Sequence, residues 1–380
     1  MTGEVVVVGG GVMGSSAAWH LAARGRRVTL LERFAPGHDR GSSHGSSRIF
    51  RLAYPEPEYV ALAVRALPLW RRLEEETGTA LLELTGAVDH GPAAATSALH
   101  AALATAGRPA ELLDPARVAE RWPGLRADTS ALFHPEAGRL HADHAVAAFQ
   151  RAAAAHGAEV RHGVRIARIA VRGGGNGDGS GGGGNGGAGV ELVTTEEEVI
   201  LAEQVVVAVG GWAPGLLSGL VPGLPPMRVT EERPVHFPAA APLDWPSFIH
   251  HGGAQLVSDV GVYGLGSVDG VKVGFHGVGP VVDPDHRAGD PDPRAVERVR
   301  EYARRWLPGV DHTAPTATTC LYTTTPDHDF VVDRRGPVTV LAGFSGHGFK
   351  FASVLGALAA DLVEGRPAAR RFALGAGRGR

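Results

Sequence analysis

The chain has 380 residues, of which 44% are hydrophobic and 20% charged, with a formal net charge of -3. That length exceeds one small core, so two domains are expected, and the charge balance gives no reason to expect nucleic acid or an anionic membrane as partner. A single cysteine excludes an internal disulfide and fits a reducing cytoplasm.

The opening residues, VVVVGGGVMGSSAAWHLAARGRRVTLLER, predict strand, tight glycine turn, helix and a second strand ending on an acid. Val5 to Val8 form a β-branched run of the kind buried on both faces of a parallel sheet. Gly9, Gly11 and Gly14 have the spacing of a dinucleotide cradle: the first turns the chain, the second admits a pyrophosphate, and the third lets helix and strand pack closely. Phosphates then lie on the helix N-terminus, and Glu32 can accept hydrogen bonds from a ribose without a 2′-phosphate. The motif does not separate FAD from NAD. No basic n-region precedes this apolar run and glycines interrupt it after Val8, so a signal peptide is not expected. Nor does any segment reach the roughly eighteen continuous apolar residues of a membrane span.

A polar loop leads into GSSHGSSRIFRLAY and then a helical stretch. With a helix from about Ser43, His44, Arg48 and Arg51 fall at i, i+4 and i+7, on one stripe. Such a stripe is either a solvated basic face or an anion site, and the neighbouring Ile49, Phe50 and Leu52 favour the second. LLELTGAVDHG reads as a strand, followed by a helix pair. His134, His141 and His144 raise a metal reading, but no fixed ligand set supports it and polar surface is the plainer account. A strand meander follows, interrupted by the glycine-rich tract 173–189, which cannot bury apolar surface and is expected to be a disordered hairpin tip.

Residues 216 to about 312 are rich in proline and strand signals and break the doubly wound pattern. Within GVYGLGSVDGVKVGFHGVG, alternation puts Lys272, Gly274 and His276 on one face and Val271, Val273 and Phe275 on the other. The polar face either meets solvent or lines a cavity. The last section has a strand, a second glycine turn at Gly343, Gly346 and Gly348, and a helix from about Phe351, which repeats the opening cradle.

Together GSSHGSSRIFRLAY, VKVGFH, CLYTTTPD and AGFSGHGFKFAS, in that order, resemble the monomeric sarcosine oxidase family, which includes N-methyltryptophan oxidase and imino-acid oxidases. The resemblance implies an α/β fold: a Rossmann-type, glutathione-reductase-like FAD-binding domain from 1–85, 140–215 and 321–380. It also implies an α+β substrate domain on an antiparallel sheet from 86–139 and 216–320. It implies FAD linked covalently through Cys320, with Gly9, Gly11, Gly14, Glu32, Gly346, Gly348 and Lys350 also toward the cofactor. His44 and Arg48 match residues against the flavin, and Arg51 and Lys350 match the pair that grips the substrate carboxylate. Lys272 matches a lysine that helps reduced flavin react with O2, while His276, Tyr322 and Tyr263 match residues lining the site. The activity implied is oxidation of a secondary-amine amino acid such as sarcosine to an imine and hydrogen peroxide, by a cytoplasmic monomer. Two other readings are a biosynthetic imino-acid oxidase, of piperideine-carboxylate or pipecolate type, and a flavin-binding sensor without turnover. WPSFIHHGGAQLVSD, which should wall the substrate cavity, departs from the sarcosine-oxidase pattern and leaves the substrate's side chain open.

Overall fold

The computed structural model describes residues 4–173, 189–252, 261–287, 289 and 292–375. The glycine-rich tract lies almost wholly outside them, as does part of the expected cavity wall. Two compact units form, one from 1–43, 146–228 and 323–380, the other from 44–145 and 229–322.

The first unit is built on a six-stranded sheet in the order Val331–Arg335, Val338–Ala342, Gln204–Val207, Glu4–Val8, Arg27–Glu32, Glu159–His162. Every pairing is parallel except the hairpin joining the first two. Val5, Val6 and Val7 are fully buried, because a strand covered on both faces must be apolar at every position. A three-stranded antiparallel meander, Ile166–Arg172, Gly189–Thr194 and Val199–Ala202, packs its Ile169, Val190 and Leu192 into the same core.

Helix Val12–Ala23 packs on helix Ala352–Val363, so the opening cradle and the C-terminal repeat of it share one layer. Ser16 Oγ donates to the Ala352 carbonyl at 2.8 Å, and His20 Nε2 meets the Ser353 carbonyl at 2.7 Å. At the solvent end Arg24 joins Asp361 and Glu364, each at 2.8 Å. The helices approach closely only because Gly356 has no side chain.

The second unit carries an eight-stranded sheet in the order Thr316–Ala317, Val235–Phe237, Gly270–Phe275, Val262–Ser267, Ser247–His250, Ala87–His90, Ala131–His134, Glu111–Leu113. One face packs Phe237, Val271, Val273, Val262, Phe248 and Val88 against helix Pro293–Trp306, which contributes Val299, Tyr302, Ala303 and Trp306. Alternation therefore turns the intervening residues to the opposite face.

Two local expectations fail. Residues 43–51 form no helix: Arg48–Phe50 is a strand paired with Gly138–Leu140, and Leu82–Glu83 pairs on its other side. Gly45, at φ 97°, interrupts any helical start, while Ile49 and Phe50 suit the pleat. LLELTGAVDHG is likewise two strands, split at Gly86, whose φ is 74°. Residues 44–85 accordingly cluster with the second unit. Among the described residues no helix is long and apolar enough to cross a membrane.

The close helix pair yields a test. An alanine Cβ at 356 would lie 2.5 Å from the Ser16 carbonyl carbon. Alanine gains about 1 kcal/mol of helix propensity, but overpacking costs about 1–3 kcal/mol and backbone atoms cannot rotate away. Gly356→Ala should therefore lower the urea midpoint, and an unchanged or raised midpoint would contradict the packing described.

Candidate functional site

The first unit presents a glycine turn between the strand Glu4–Val8 and the helix Val12–Ala23. Gly9 takes φ 103°, and a Cβ there would lie 2.5 Å from the Ala208 carbonyl oxygen. At Gly14 a Cβ would overlap the Gly9 carbonyl, so helix and turn are held at glycine distance. A Cβ at Gly11 would meet only Ser43 Oγ, at 3.2 Å, and Ser43 Oγ accepts from Val12 N at 3.1 Å. Helix N-cap Gly11 brings no capping side chain, which suits an arriving anion.

Glu32 is buried at the end of its strand. Its Oε2 accepts from Gly10 N at 2.7 Å and its Oε1 from Phe34 N at 2.9 Å, so the carboxylate is fixed beside the turn while each oxygen retains a further lone pair. These residues fit a dinucleotide with unmodified ribose.

In the C-terminal turn, Gly343 and Gly346 have φ of 65° and 76°, and a Cβ at Gly348 would come within 2.6 Å of the Phe344 side chain. Lys350, on the 3-10 turn Phe349–Phe351, is buried; its Nζ donates to the His347 carbonyl at 2.8 Å. Backbone conformation at Gly343 and Gly346 and packing at Gly348 are reasons of their own for these glycines.

The second unit concentrates ionisable groups on the sheet face opposite the apolar core. Cross-strand pairs run Asp89–Ile249, Ile249–Tyr263 and Tyr263–Gly274, so these four share a row and a face. Beside them Lys272 pairs with Leu265 and His236. Gly274 has to be glycine, because a Cβ there would lie 2.7 Å from the Tyr263 hydroxyl that crosses it.

Lys272 is only 6% exposed, and burial together with the Arg48 charge pushes its ammonium down to about 7. Burial and Lys272 push His236 down to about 4, so it is neutral at pH 7. Cys320 is a buried free thiol pushed up by burial, an effect opposed by the charges of Arg48 and Lys272. Tyr263 and Tyr322 hydroxyls are hydrogen-bonded to one another, and the His276 ring lies 5.3 Å from that of Tyr322.

Arg48 is held by its own loop, Nη2 donating to the His44 carbonyl at 2.8 Å and Nη1 to that of Ser47 at 2.7 Å. The hydroxyls of Ser46 and Ser47 in that loop are buried with no hydrogen-bond partner among the described residues, which suits a polar group arriving there.

Arg48, Lys272, Cys320, Tyr263, Tyr322 and His276 are thus one constellation. Arg51 stands in a second cluster of the same unit, 3.3 Å from Asp89 and 4.5 Å from the Tyr54 ring. Lys350 belongs to the first unit and Arg51 to the second.

Of the three histidines that raised a metal reading, His134 bonds to Asp89 at 3.2 Å, and His141 and His144 stack with centroids 5.5 Å apart. Sequence reasoning missed His236 and Asp89. Each is a polar residue beside apolar ones in a short strand, VHF and AVDH, and period-two alternation applied to those strands would have marked both.

Residues 4–362 match the family model described as FAD dependent oxidoreductase. A monomeric sarcosine oxidase of Streptomyces avermitilis is 36% identical, over 95% of this chain and 94% of that protein. An N-methyl-L-tryptophan oxidase of Yersinia pestis is 29% identical, over 96% of this chain and 95% of its own length. Among solved structures, NikD, described as an unusual amino acid oxidase essential for nikkomycin biosynthesis, superposes with a TM-score of 0.82 at 26% identity, over 98% of each chain. With its glycine cradle, buried Glu32 and this match along nearly its whole length, the chain belongs to the FAD-dependent oxidoreductase family.

Proposed function

We propose that this protein is an oxidase of small amino acids bearing a secondary amine, N-methyl amino acids such as sarcosine foremost, with O2 as acceptor and hydrogen peroxide as product. The observation that carries this reading is the cationic wall of the second unit, where buried Lys272 shares the polar face of the sheet with Tyr263 and half-buried Arg48 lies within electrostatic reach of it. The relatives' names point the same way.

Arg51 is the cation we assign to the substrate carboxylate. Arginine suits that task because its planar fork matches a carboxylate. A wall that already holds Arg48 and a depressed Lys272 disfavours a further ammonium, so the substrate amine binds neutral and needs no strong base. FAD supplies acceptance of the hydride equivalent from the carbon next to nitrogen. Lys272, when protonated, stabilises negative charge growing on oxygen, and a buried cation does so more strongly than one in water. Tyr263, Tyr322, His44 and His276 line and orient. Cys320, the chain's one cysteine and a free buried thiol, is the candidate for a thioether to the flavin. A lone unpaired thiol suits a reducing compartment, and we take the working form to be a cytoplasmic monomer.

Peroxide release on a panel of N-methyl and primary amino acids tests the activity. Sarcosine-type substrates should turn over, and Arg51→Ala should raise KM for them by about tenfold or more while leaving amines without a carboxylate unaffected. Equal losses for both classes would remove the carboxylate role.

Flavin colour should stay with protein precipitated in acid, since a thioether survives unfolding, and Cys320→Ser should release it. Colour lost from the wild-type precipitate would refute the link.

Lys272→Met keeps length and apolar stem while deleting charge. In stopped-flow absorbance, anaerobic flavin reduction should change modestly and reoxidation by O2 should slow by orders of magnitude, at about tenfold per 1.4 kcal/mol of lost stabilisation. Reoxidation at the wild-type rate would overturn the assignment.

A further inference from the structure

Asp89 lies on the strand Ala87–His90, has no exposed surface, and stands in the sheet row that also holds Tyr263. Three groups converge on it. His251 Nε2 lies 2.8 Å from Oδ1, Arg51 Nη1 donates to Oδ1 at 3.3 Å, and His134 Nε2 lies 3.2 Å from Oδ2. The two imidazoles come from the strand Ala131–His134 and from just beyond the strand Ser247–His250, which flank the Asp89 strand on either side. A carboxylate gripped from both neighbouring strands cannot swing.

Arg51 is the cationic partner. It follows the short strand Arg48–Phe50, and its Nη1 also donates to the Ala53 carbonyl at 2.6 Å while the guanidinium lies against the Tyr54 ring. Its backbone location alone does not aim the fork. Asp89 adds an anchor that is itself immobile, and it remains charged: burial would raise its pKa, but hydrogen bonds from His134 and His251 and the Arg51 charge outweigh burial and hold it well below the usual carboxylate range.

We infer that Asp89 is a positioning residue for Arg51, clamped between His134 and His251 so that the guanidinium is pre-aimed at the substrate carboxylate. This rests on the reading of Arg51 as a carboxylate binder. Positioning and simple charge change anion binding in opposite directions. Deleting a negative charge beside Arg51 should strengthen binding of an anion if electrostatics alone operated, whereas losing the anchor should weaken it, because a misplaced clamp costs substrate alignment.

The test compares wild type, Asp89→Asn, His251→Gln and Arg51→Ala as holoenzymes. Two readouts are needed: kcat and KM for sarcosine, and the Kd of acetate from perturbation of the flavin absorbance. Asp89→Asn should raise both sarcosine KM and acetate Kd by about tenfold with kcat within about twofold, and leave KM for an N-methyl amine lacking a carboxylate unchanged. Unchanged or tightened acetate binding in Asp89→Asn, with Arg51→Ala weakened, overturns the inference while sparing the carboxylate role. Undiminished binding in Arg51→Ala overturns both. If Asp89→Asn does not accumulate as folded protein, His251→Gln decides: its partly exposed ring loosens the clamp from one side, so a KM rise of about threefold supports the anchor and no rise refutes it.

Discussion

The constraint on which the second unit depends is the two-residue period of its eight-stranded sheet. Burying Val271, Val273, Phe237, Phe248 and Val88 against the helix Pro293–Trp306 supplies the core of that unit. Because strands alternate, the same burial forces Lys272, His236, Tyr263 and Asp89 to the other face. A one-residue slip of any central strand would exchange core and chemistry together. The ionisable wall is therefore held by the hydrophobic effect rather than by its own polar contacts.

Within that wall the charges differ in how they are kept. Asp89 stays ionised because its partners solvate it as water would. Lys272 is pushed toward neutrality by burial and by Arg48, and the weaker attraction of Cys320, Asp269 and Asp143 does not offset them. A group that titrates to about 7 responds to any anion placed beside it, whereas a saturated carboxylate serves as a fixed point. The sheet thus holds a responsive cation and an unresponsive anion on one face. The cradle of the first unit works by subtraction, since Gly9 and Gly14 make space and Glu32 closes it.

Much of this was legible in the sequence wherever the determining interactions were local. The run Val5 to Val8, the glycine turn and Glu32 lie within one strand–helix–strand unit, and the Lys272 face follows from a single strand's alternation. The segment 43–51 misled because its helical stripe of His44, Arg48 and Arg51 coexists with a strand-forming Ile49 and Phe50. Pairing with Gly138–Leu140, distant in sequence, decides between them. Alternation in its strand could mark Asp89 as sharing the polar face, but its partners Arg51, His134 and His251 are brought to it by pairings distant in sequence.

The sheet buries Lys272 on its polar face, and proton linkage measures that burial directly. With a folded pKa of about 7 against 10.5 in the unfolded chain, native protein loses this proton first. Between those values the unfolded state holds more protons, so wild-type stability gains up to about 1.4 kcal/mol per pH unit from this group as pH rises. Below pH 7 native protein carries the full penalty of a buried ammonium. Urea unfolding of wild type and Lys272→Met across pH 6 to pH 10 isolates that contribution. Any advantage of the methionine variant should be largest near pH 6 and shrink steadily toward pH 10; a difference independent of pH would show that the Lys272 ammonium sits in water and would contradict its burial.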